Sequence, residues 1–324
     1  MFTTRGVNLY ASAYYPEEYV YEIILDIGIL PNLQRFVLND PIIRERTRVL
    51  RVNDFDISKL RASNKNILQI SEAVVFRGLQ GGCKNIIPDM VGVVGGMNHL
   101  STLCFVDCAE IECILDTNFE SKVDDLIPML VELRFQLMIN LIDLCQGPTL
   151  QVLPFFEKLE ILDLKYFPQL HNIFPTECKL QNLKIMSLSY CKSSEVLFPI
   201  SVAQSLLQLE KLIIEGCDEL RHIIVSNREH DFNASKEITQ APMDSHFLMP
   251  CLRDVKIYDC QKLESVFPHC YVGGLSRLQM IDIWNVPQLK YVFGECDHQH
   301  QLQNHIMLPN LENLKLCYLH EVAI

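Results

Sequence analysis

The sequence predicts an α/β solenoid, in which short repeats stack into a curved arc with a parallel sheet on the concave face and short turns or 3₁₀ segments on the convex face. The main observation is an apolar pattern at offsets 0, 3, 6, 8, 11, 14 and 17, which is clearest from Phe156 to Ile173. Two further observations are a tight L-x-L pair inside the copies and a Phe-Pro pair that closes three of them. A recurring pattern of this kind indicates stacked repeats, because each copy needs its neighbours to cover its apolar face.

The apolar pattern occurs eight times, at steps of 24 to 43 residues. The copies define 55 positions within the chain, and Ser194 is the one polar residue among them, whereas 49% of the whole chain is hydrophobic. Composition alone therefore does not explain the pattern. The copies begin at Met97, Ile127, Phe156, Leu180, Leu206, Met249, Leu275 and Leu308.

The L-x-L pair at offsets 6 and 8 predicts one short strand in each copy. Leu162 and Leu164 form such a pair, and alternate residues of a strand point to the same face, so both should face the core. The whole pattern reads L-x-x-L-x-x-L-x-L-x-x-C-x-x-L-x-x-I, which is the form of a leucine-rich repeat. Its position 11, where a thiol serves as a small buried apolar group, is cysteine in four copies: Cys108, Cys191, Cys217 and Cys260.

The Phe-Pro pairs predict where the coils turn back. Proline has no N–H to donate and holds φ fixed, so it is unfavourable inside a continuing strand. The return segments are short and irregular, so we expect single 3₁₀-like turns or loops on the convex side and no long helices. The pairs are Phe174-Pro175, Phe198-Pro199 and Phe267-Pro268.

The first part of the chain is less regular. Copies begin at Leu30 and at Ile67, but each fails after four positions. Terminal repeats of a solenoid are commonly atypical because they cap the stack. We therefore interpret residues 1–96 as degenerate N-terminal repeats and residues 97–324 as the regular repeats; a small separate N-terminal domain is the alternative.

Two features interrupt or end the regular repeats. Residues 226–248 are polar and without period, which predicts a loop insertion between two copies. The last copy stops near Val322 with no polar capping segment behind it. That predicts an open sheet edge and suggests a fragment or a truncated gene product.

Charge and hydropathy exclude several classes of function. The formal net charge is −12 and the pI is near 5.3, which argues against a nucleic-acid surface because such surfaces need clustered Lys and Arg. The alternating basic residues from Arg44 to Arg51 fit the solvent-exposed face of a strand better. No apolar stretch approaches the length of a membrane span, and no signal peptide is visible.

We therefore expect a cytoplasmic protein. In such a reducing compartment the thirteen cysteines should remain free thiols. The sequon at Asn233 should then stay unmodified.

The sequence contains no motif for catalysis or for a cofactor. A P-loop, a G-x-S-x-G elbow and an H-E-x-x-H pair are all absent. The best metal candidate is Cys296-Asp297-His298-Gln299-His300, with His305 beyond it, but its spacing matches no common zinc arrangement, so we interpret it as a polar loop. Asp107, Glu110 and Glu112 are too scattered to form a catalytic carboxylate pair. We expect a protein that is not an enzyme, with no metal and no cofactor.

The outward residues of the predicted strands are the best candidates for a functional surface. They vary in size, charge and polarity, while their inward neighbours stay apolar. Varied chemistry on a rigid stack suits a protein-binding face, although the same residues would also serve as a plain cover for the sheet. Trp284, the single tryptophan, and Tyr258 form a plausible anchor pair. The candidate concave binding face comprises Arg134, Asp163, Lys165, Glu215, Lys256, Tyr258, Asp282, Trp284 and Lys315.

Several segments resemble the C-terminal leucine-rich repeats of plant coiled-coil nucleotide-binding (NB-ARC) disease resistance proteins. The L-x-x-C-x-x-L-x-x-I-F-P signature carries much of the resemblance, which covers at least residues 30–324. The most similar stretches are FEKLEILDLKYFPQLHNIFP (156–175), LEKLIIEGCDELRHII (209–224), CLRDVKIYDCQKLESVFP (251–268) and LPNLENLKLCYL (308–319). LQISEAVVFRGLQGGCKNIIPDM (68–90) looks like the segment that opens these repeats in the family.

The resemblance implies a recognition module of plant innate immunity. In that family this region senses a pathogen effector or a guarded host protein, and it restrains the nucleotide-binding domain of the intact receptor. This chain has no P-loop, so no ATP-binding residue of the family carries over to it. The alternative is a substrate-recruiting subunit of a ubiquitin ligase, because such repeats also follow F-box segments. The residues before Leu30 show no convincing F-box, which makes this alternative weaker.

Overall fold

The computed structural model shows a solenoid of parallel strands in which the chain passes repeatedly from a main sheet to a shorter sheet. Two compact units make up the chain. The first contains residues 1–155 and 164–167, and the second contains residues 156–163 and 168–324. The structure describes residues 7–9, 21–26, 48–54, 56–59, 62–116, 118, 127–147, 153–170, 173–174, 178–192, 195–225, 248–268, 273–294 and 308–320.

The described part of the first unit has one main sheet and one short sheet. Its strands are β1 Val7–Leu9, β2 Tyr21–Asp26, β3 Arg48–Asn53, β4 Ala73–Arg77, β5 Asn85–Ile87, β6 Thr102–Val106, β7 Cys113–Asp116, β8 Glu132–Gln136 and β9 Asp143–Gln146. The main sheet has the order β1-β2-β3-β4-β6-β8, and the short sheet has the order β5-β7-β9. Strand β1 is antiparallel to β2, whereas β2, β3, β4, β6 and β8 are parallel to one another.

The second unit repeats this arrangement. Strand β10, Ile161–Phe167, is divided between the two units. The later strands are β11 Ile185–Cys191, β12 Val196–Pro199, β13 Lys211–Glu215, β14 His222–Val225, β15 Asp254–Tyr258, β16 Ser265–Pro268, β17 Met280–Trp284, β18 Tyr291–Gly294 and β19 Asn313–Cys317. Strands β11, β13, β15, β17 and β19 form the main sheet, and β12, β14, β16 and β18 form the short sheet.

Helices are few and short in the described residues. They are a 3₁₀ helix at Ile57–Lys59 and four α-helices: α1 Ala62–Ile70, α2 Asp89–Val94, α3 Leu153–Glu157 and α4 Ile200–Ser205.

The core confirms the inward placement of the apolar pattern. From Met97 to Val292, every described position of the first seven copies is at most 3% exposed, whereas Leu314 of the eighth copy, on the last strand of the sheet, is 43% exposed. Leu162 and Leu164 of β10 are both fully buried, as the L-x-L pair predicts. Each of the four cysteines at position 11 is also buried. Cys260 shows their role, because its thiol donates to the carbonyl of Tyr258 at 3.3 Å and so satisfies a backbone group where the strand ends.

The short sheets stand where the sequence predicts turns or 3₁₀ segments. Apolar pairs such as Leu197-Phe198 and Val266-Phe267 lie buried in these strands. The main sheet holds neighbouring coils in register, so their return segments also come close enough to exchange backbone hydrogen bonds. Strands β12 and β16 end at Pro199 and Pro268, in agreement with the expected turning points.

The copy predicted to begin at Ile67 is out of frame by one residue. The inward residues of β4 are Val74 and Phe76, which pair in register with Leu103 and Phe105 of the next main strand. The alternative residues, Ala73 and Val75, are also buried, so hydrophobicity does not distinguish the two faces of this strand. The copy predicted from Leu30 to Leu38 and the insertion at 226–248, apart from Leu248, lie outside the described residues.

Candidate functional site

The outer face of the main sheet, which points away from the core, carries the candidate site. In the second unit the main strands align without a register slip. Side chains at the same pattern position of successive coils therefore form rows across neighbouring strands. One row contains Lys256, Asp282 and Lys315, and the next contains Glu215, Tyr258, Trp284 and Cys317. Neighbouring strands lie about 4.8 Å apart. The fold therefore brings six predicted residues into one surface: Glu215, Lys256, Tyr258, Asp282, Trp284 and Lys315.

A left-handed residue ends each main strand from β3 onward in the described chain. These residues have φ between 46° and 65°, and from Gly78 to Asn285 each occupies position 10, directly before a buried residue at position 11. The N–H group of seven of them still bonds to the next coil; that of Asp259, for example, donates to the carbonyl of Trp284 at 3.0 Å. The left-handed turn therefore keeps the inter-coil hydrogen bond while it directs the chain inward. The residues are Asp54, Gly78, Asp107, Leu137, Tyr166, Tyr190, Gly216, Asp259, Asn285 and Tyr318.

Three of these left-handed positions hold tyrosine, for which this conformation is unfavourable. A left-handed φ costs a non-glycine residue on the order of 1 kcal/mol. Their side chains remain accessible, since Tyr166, Tyr190 and Tyr318 are 49%, 42% and 74% exposed. Tyr190 and Tyr318 belong to the second unit, and each directly follows a residue of the row that contains Tyr258 and Trp284.

We define the aromatic rim as positions 9 and 10 of five successive coils of the second unit. It contains four aromatic residues and two carboxylates, and no lysine or arginine. Positions 9 and 10 are the last outer-face residue of a main strand and the left-handed residue that follows it. The aromatic rim comprises Ser189-Tyr190, Glu215-Gly216, Tyr258-Asp259, Trp284-Asn285 and Cys317-Tyr318.

Contacts between neighbouring coils order the aromatic rim. The Tyr190 hydroxyl donates to Glu215 Oε1 at 3.1 Å, and the Tyr258 hydroxyl donates to Asp282 Oδ2 at 3.0 Å. Trp284 packs edge-on against Tyr318, with 5.5 Å between the ring centroids. Burial raises the pKa of Tyr258 to about 12, and the negative charges of Asp282 and Glu215 act in the same direction. Tyr258 therefore keeps its proton and serves as a hydrogen-bond donor at neutral pH.

The predicted residues of the first unit have a different environment. Arg134 lies on the outer face of β8, but its side chain is 15% exposed and its Nε contacts Glu132. Glu132 is itself 1% exposed and accepts a hydrogen bond of 2.8 Å from Thr102 Oγ1. Thr102, Cys104 and Glu132 occupy outward positions of the same pattern, but all three are buried, so this part of the outer face is not accessible.

Asp163 and Lys165 of β10 are half-buried. One carboxylate oxygen of Asp163, Oδ1, is buried and has no hydrogen-bond partner. Asp163 belongs to the second unit and Lys165 to the first.

Tyr190 and Tyr318 are not among the predicted site residues. The prediction used the alternating outward residues of each strand, which end at position 9, whereas these tyrosines occupy position 10. The available signal was the aromatic residue that stands before position 11 in three copies, at Tyr166, Tyr190 and Tyr318. Only the backbone reveals that this position is left-handed and opens onto the same face.

Chemistry other than recognition has little support in the described residues. No group of three metal-ligating side chains occurs there, and residues 296–305 of the metal candidate lie outside the described part. The eleven cysteines in the described ranges form no disulfide. Burial raises the pKa of the Cys108 thiol to about 11, so it is protonated at neutral pH and a poor nucleophile. Within the described residues no helix has the length and hydrophobicity of a membrane-spanning segment.

Comparison with known proteins gives a family match and likenesses to solved structures. Residues 150–218, about a fifth of the chain, match the model of leucine-rich repeats of plant disease resistance proteins similar to RPS2. The leucine-rich repeat domain of the type III effector XopL is similar at a TM-score of 0.46 and 17% identity, over 73% of this chain and 68% of that one. No curated protein matches the sequence.

Proposed function

We propose that this chain is a protein-recognition module of plant innate immunity and that it is not an enzyme. Its outer face in the second unit would bind a pathogen effector or a guarded host protein. If the chain is part of a longer receptor that contains a nucleotide-binding domain, the module would hold that domain inactive until the partner binds. The proposed site of action is the cytoplasm, where the free cysteines would remain reduced.

The observation that carries this proposal is the contrast between the two faces of the main sheet. In the second unit the inward residues of β13, β15 and β17 are uniformly apolar and at most 1% exposed. Their outward neighbours stand in aligned rows and are of seven residue types: Lys, Ile, Asp, Met, Glu, Tyr and Trp. A rigid surface that combines aromatic anchors with varied polar groups is typical of protein interfaces. The match of residues 150–218 to resistance-protein repeats supports the immune role.

Proximity labelling in leaf tissue would test the proposal. The chain would be fused to a biotin ligase, and the proteins labelled by the wild type would be compared with those labelled by two variants. Lys256→Glu/Asp282→Lys reverses two charges in the central row, and Leu207→Ala removes an exposed apolar side chain that lies outside the rows. We expect specific partners to be lost with the double variant and retained with Leu207→Ala. Identical sets of labelled proteins would refute recognition through this face.

A further inference from the structure

We propose that the aromatic rim binds arginine side chains in an extended segment of the partner protein. This inference rests on the proposed function and specifies the chemistry of the partner. It follows from the exposure of the rim's aromatic rings, the charge of the carboxylates between them and the absence of competing cations in the rim itself.

The aromatic rings are ordered and yet accessible. Trp284 is 41% exposed, Tyr190 is 42% exposed and Tyr318 is 74% exposed. Trp284 and Tyr318 hold each other in an edge-on pair with an interplanar angle of 79°. Tyr190 is fixed by its hydrogen bond to Glu215 and by its close approach to Gly216. Because these contacts already restrict the rings, a partner would lose little side-chain entropy by docking on them.

The carboxylates beside the rings are bonded to neutral donors. Glu215 accepts from the Tyr190 hydroxyl, Asp282 accepts from the Tyr258 hydroxyl, and Asp259 accepts from the Asn285 amide at 2.6 Å. In the part of the chain that the structure describes, none of these carboxylates forms an ion pair. The negative charges of Glu215 and Asp259, the two carboxylates of the rim, are therefore available to a cation that approaches it.

A guanidinium group matches this combination of rings and carboxylates. Its flat, weakly hydrated cation stacks on aromatic faces and also donates two parallel hydrogen bonds to a carboxylate. A lysine ammonium would gain the charge attraction but less of the stacking. An acidic segment would be repelled, and a purely apolar segment would leave the carboxylates without compensation.

The charges on the neighbouring row define the path of the segment. Lys256 and Lys315 occupy the row at position 7, next to the aromatic rim. They disfavour a basic segment that runs across the centre of the sheet, and so favour one that follows the rim. Five strands at a spacing of about 4.8 Å give the rim a length of about 19 Å, which about six residues of extended chain would span.

Fluorescence polarisation with defined peptides tests the inference on the purified 324-residue chain. The probe is the labelled hexapeptide Arg-Ser-Arg-Ser-Arg-Ser, at a salt concentration of about 0.15 M to screen the overall negative charge. The comparison peptides replace every arginine by lysine or by citrulline, which keeps the shape of arginine without its charge. We expect the order of affinity to be arginine, lysine, citrulline, with at least tenfold between the first and the last.

Variants of the chain then locate the binding site. Trp284→Ala/Tyr318→Ala should weaken binding of the arginine peptide about tenfold, and Glu215→Gln should weaken it several-fold. Leu207→Ala, at a similarly exposed residue outside the rim, should leave the affinity unchanged. Circular dichroism would verify that the variants keep the fold.

Several results would overturn the inference. They are equal affinity for the arginine and citrulline peptides, unchanged affinity in the double variant, and no binding of the arginine peptide at concentrations up to about 1 mM. Each of these would leave the proximity-labelling result intact, because a partner could bind the same face through other chemistry. Conversely, arginine binding without any specific partner in leaf tissue would refute the proposed function alone.

Discussion

The ring of Tyr190 lies against the backbone of Gly216 on the next coil. A Cβ atom added to Gly216 would be 2.5 Å from Cδ1 of Tyr190, far closer than non-bonded carbons approach each other. Gly216 also has a φ of 60°, in the left-handed region that glycine adopts without strain. The glycine therefore serves two purposes, since it ends β13 with a left-handed turn and leaves room for the ring of Tyr190.

Gly216→Ala should lower the stability of the second unit by about 1–3 kcal/mol. The new methyl group would add the strain of a left-handed alanine and a contact that displaces Tyr190. Urea unfolding followed by circular dichroism would measure the loss as a lower midpoint. Gly273→Ala is the matched control, because a Cβ there meets no atom within 4 Å. Equal midpoints for the two variants would contradict the close packing of Tyr190 on Gly216.

Leu164→Asp should unfold the coils around β10. The side chain is fully buried, and a carboxylate there would have neither water nor a counter-ion. The milder change Leu164→Ala should cost about 2–5 kcal/mol through the lost burial and the cavity. Leu207→Asp makes the same chemical change at a side chain that is 44% exposed, so it should change the midpoint of thermal unfolding very little. A stable, natively folded Leu164→Asp variant would refute the inward placement of the L-x-L pair.

Glu132→Ala should destabilise the first unit by about 3–5 kcal/mol. It removes the charge partner of Arg134 and the acceptor of the Thr102 hydroxyl from a buried site. The double variant Glu132→Leu/Arg134→Leu removes both charges and should lose much less. Urea midpoints of the wild type and the two variants give this comparison. If the single variant is as stable as the wild type, the pair is solvated and could take part in partner binding.

Trp284→Ala and Tyr258→Ala should each lower the unfolding free energy by about 1 kcal/mol or less, while abolishing partner binding. Trp284 is 41% exposed and Tyr258 is half-buried on the outer face, so neither fills the core. Differential scanning calorimetry of the two variants would measure the stability, with Leu164→Ala as the example of a core substitution. A fall in the melting temperature as large as that of Leu164→Ala would identify them as core residues.

The stability of the second unit should fall as the pH rises above about 9, partly because of Cys178. Burial raises the pKa of this thiol to about 12, and the charge of Glu157 adds to the effect. The unfolded thiol loses its proton near pH 8.5, whereas the native thiol keeps it, so alkali favours unfolding. Between pH 9 and 10.5 this thiol alone should cost about 2 kcal/mol.

Urea midpoints between pH 7 and 10.5 would measure this dependence. Cys178→Ala should give a shallower decline with pH than the wild type. Leu207→Ala, at an exposed side chain that does not titrate, should leave the slope unchanged. Parallel curves for the wild type and Cys178→Ala would contradict the raised pKa.

Burial of part of the outer face of the first unit does not follow from the sequence pattern. Thr102 and Glu132 occupy position 5 of the pattern in their copies, and Lys211 and Asp254 occupy the same position in theirs. The first two are buried and the last two are half-exposed. The small or apolar side chains at Ala73, Val75 and Cys104 were a sign of this difference, but alternation predicts only which face a side chain occupies. Whether that face meets solvent depends on what packs over it.

The apolar ladder by itself determined the core of this protein. It gave the strand positions, the inward residues from Met97 to Val292 and the four buried cysteines, because burial of apolar area acts on each copy in the same way. The tertiary structure decided the pairing of the return segments into short sheets, the left-handed turn at position 10 and the gathering of Tyr190, Tyr258, Trp284 and Tyr318 along one edge. These features depend on hydrogen bonds and contacts between neighbouring coils, and a pattern within a single coil does not specify them.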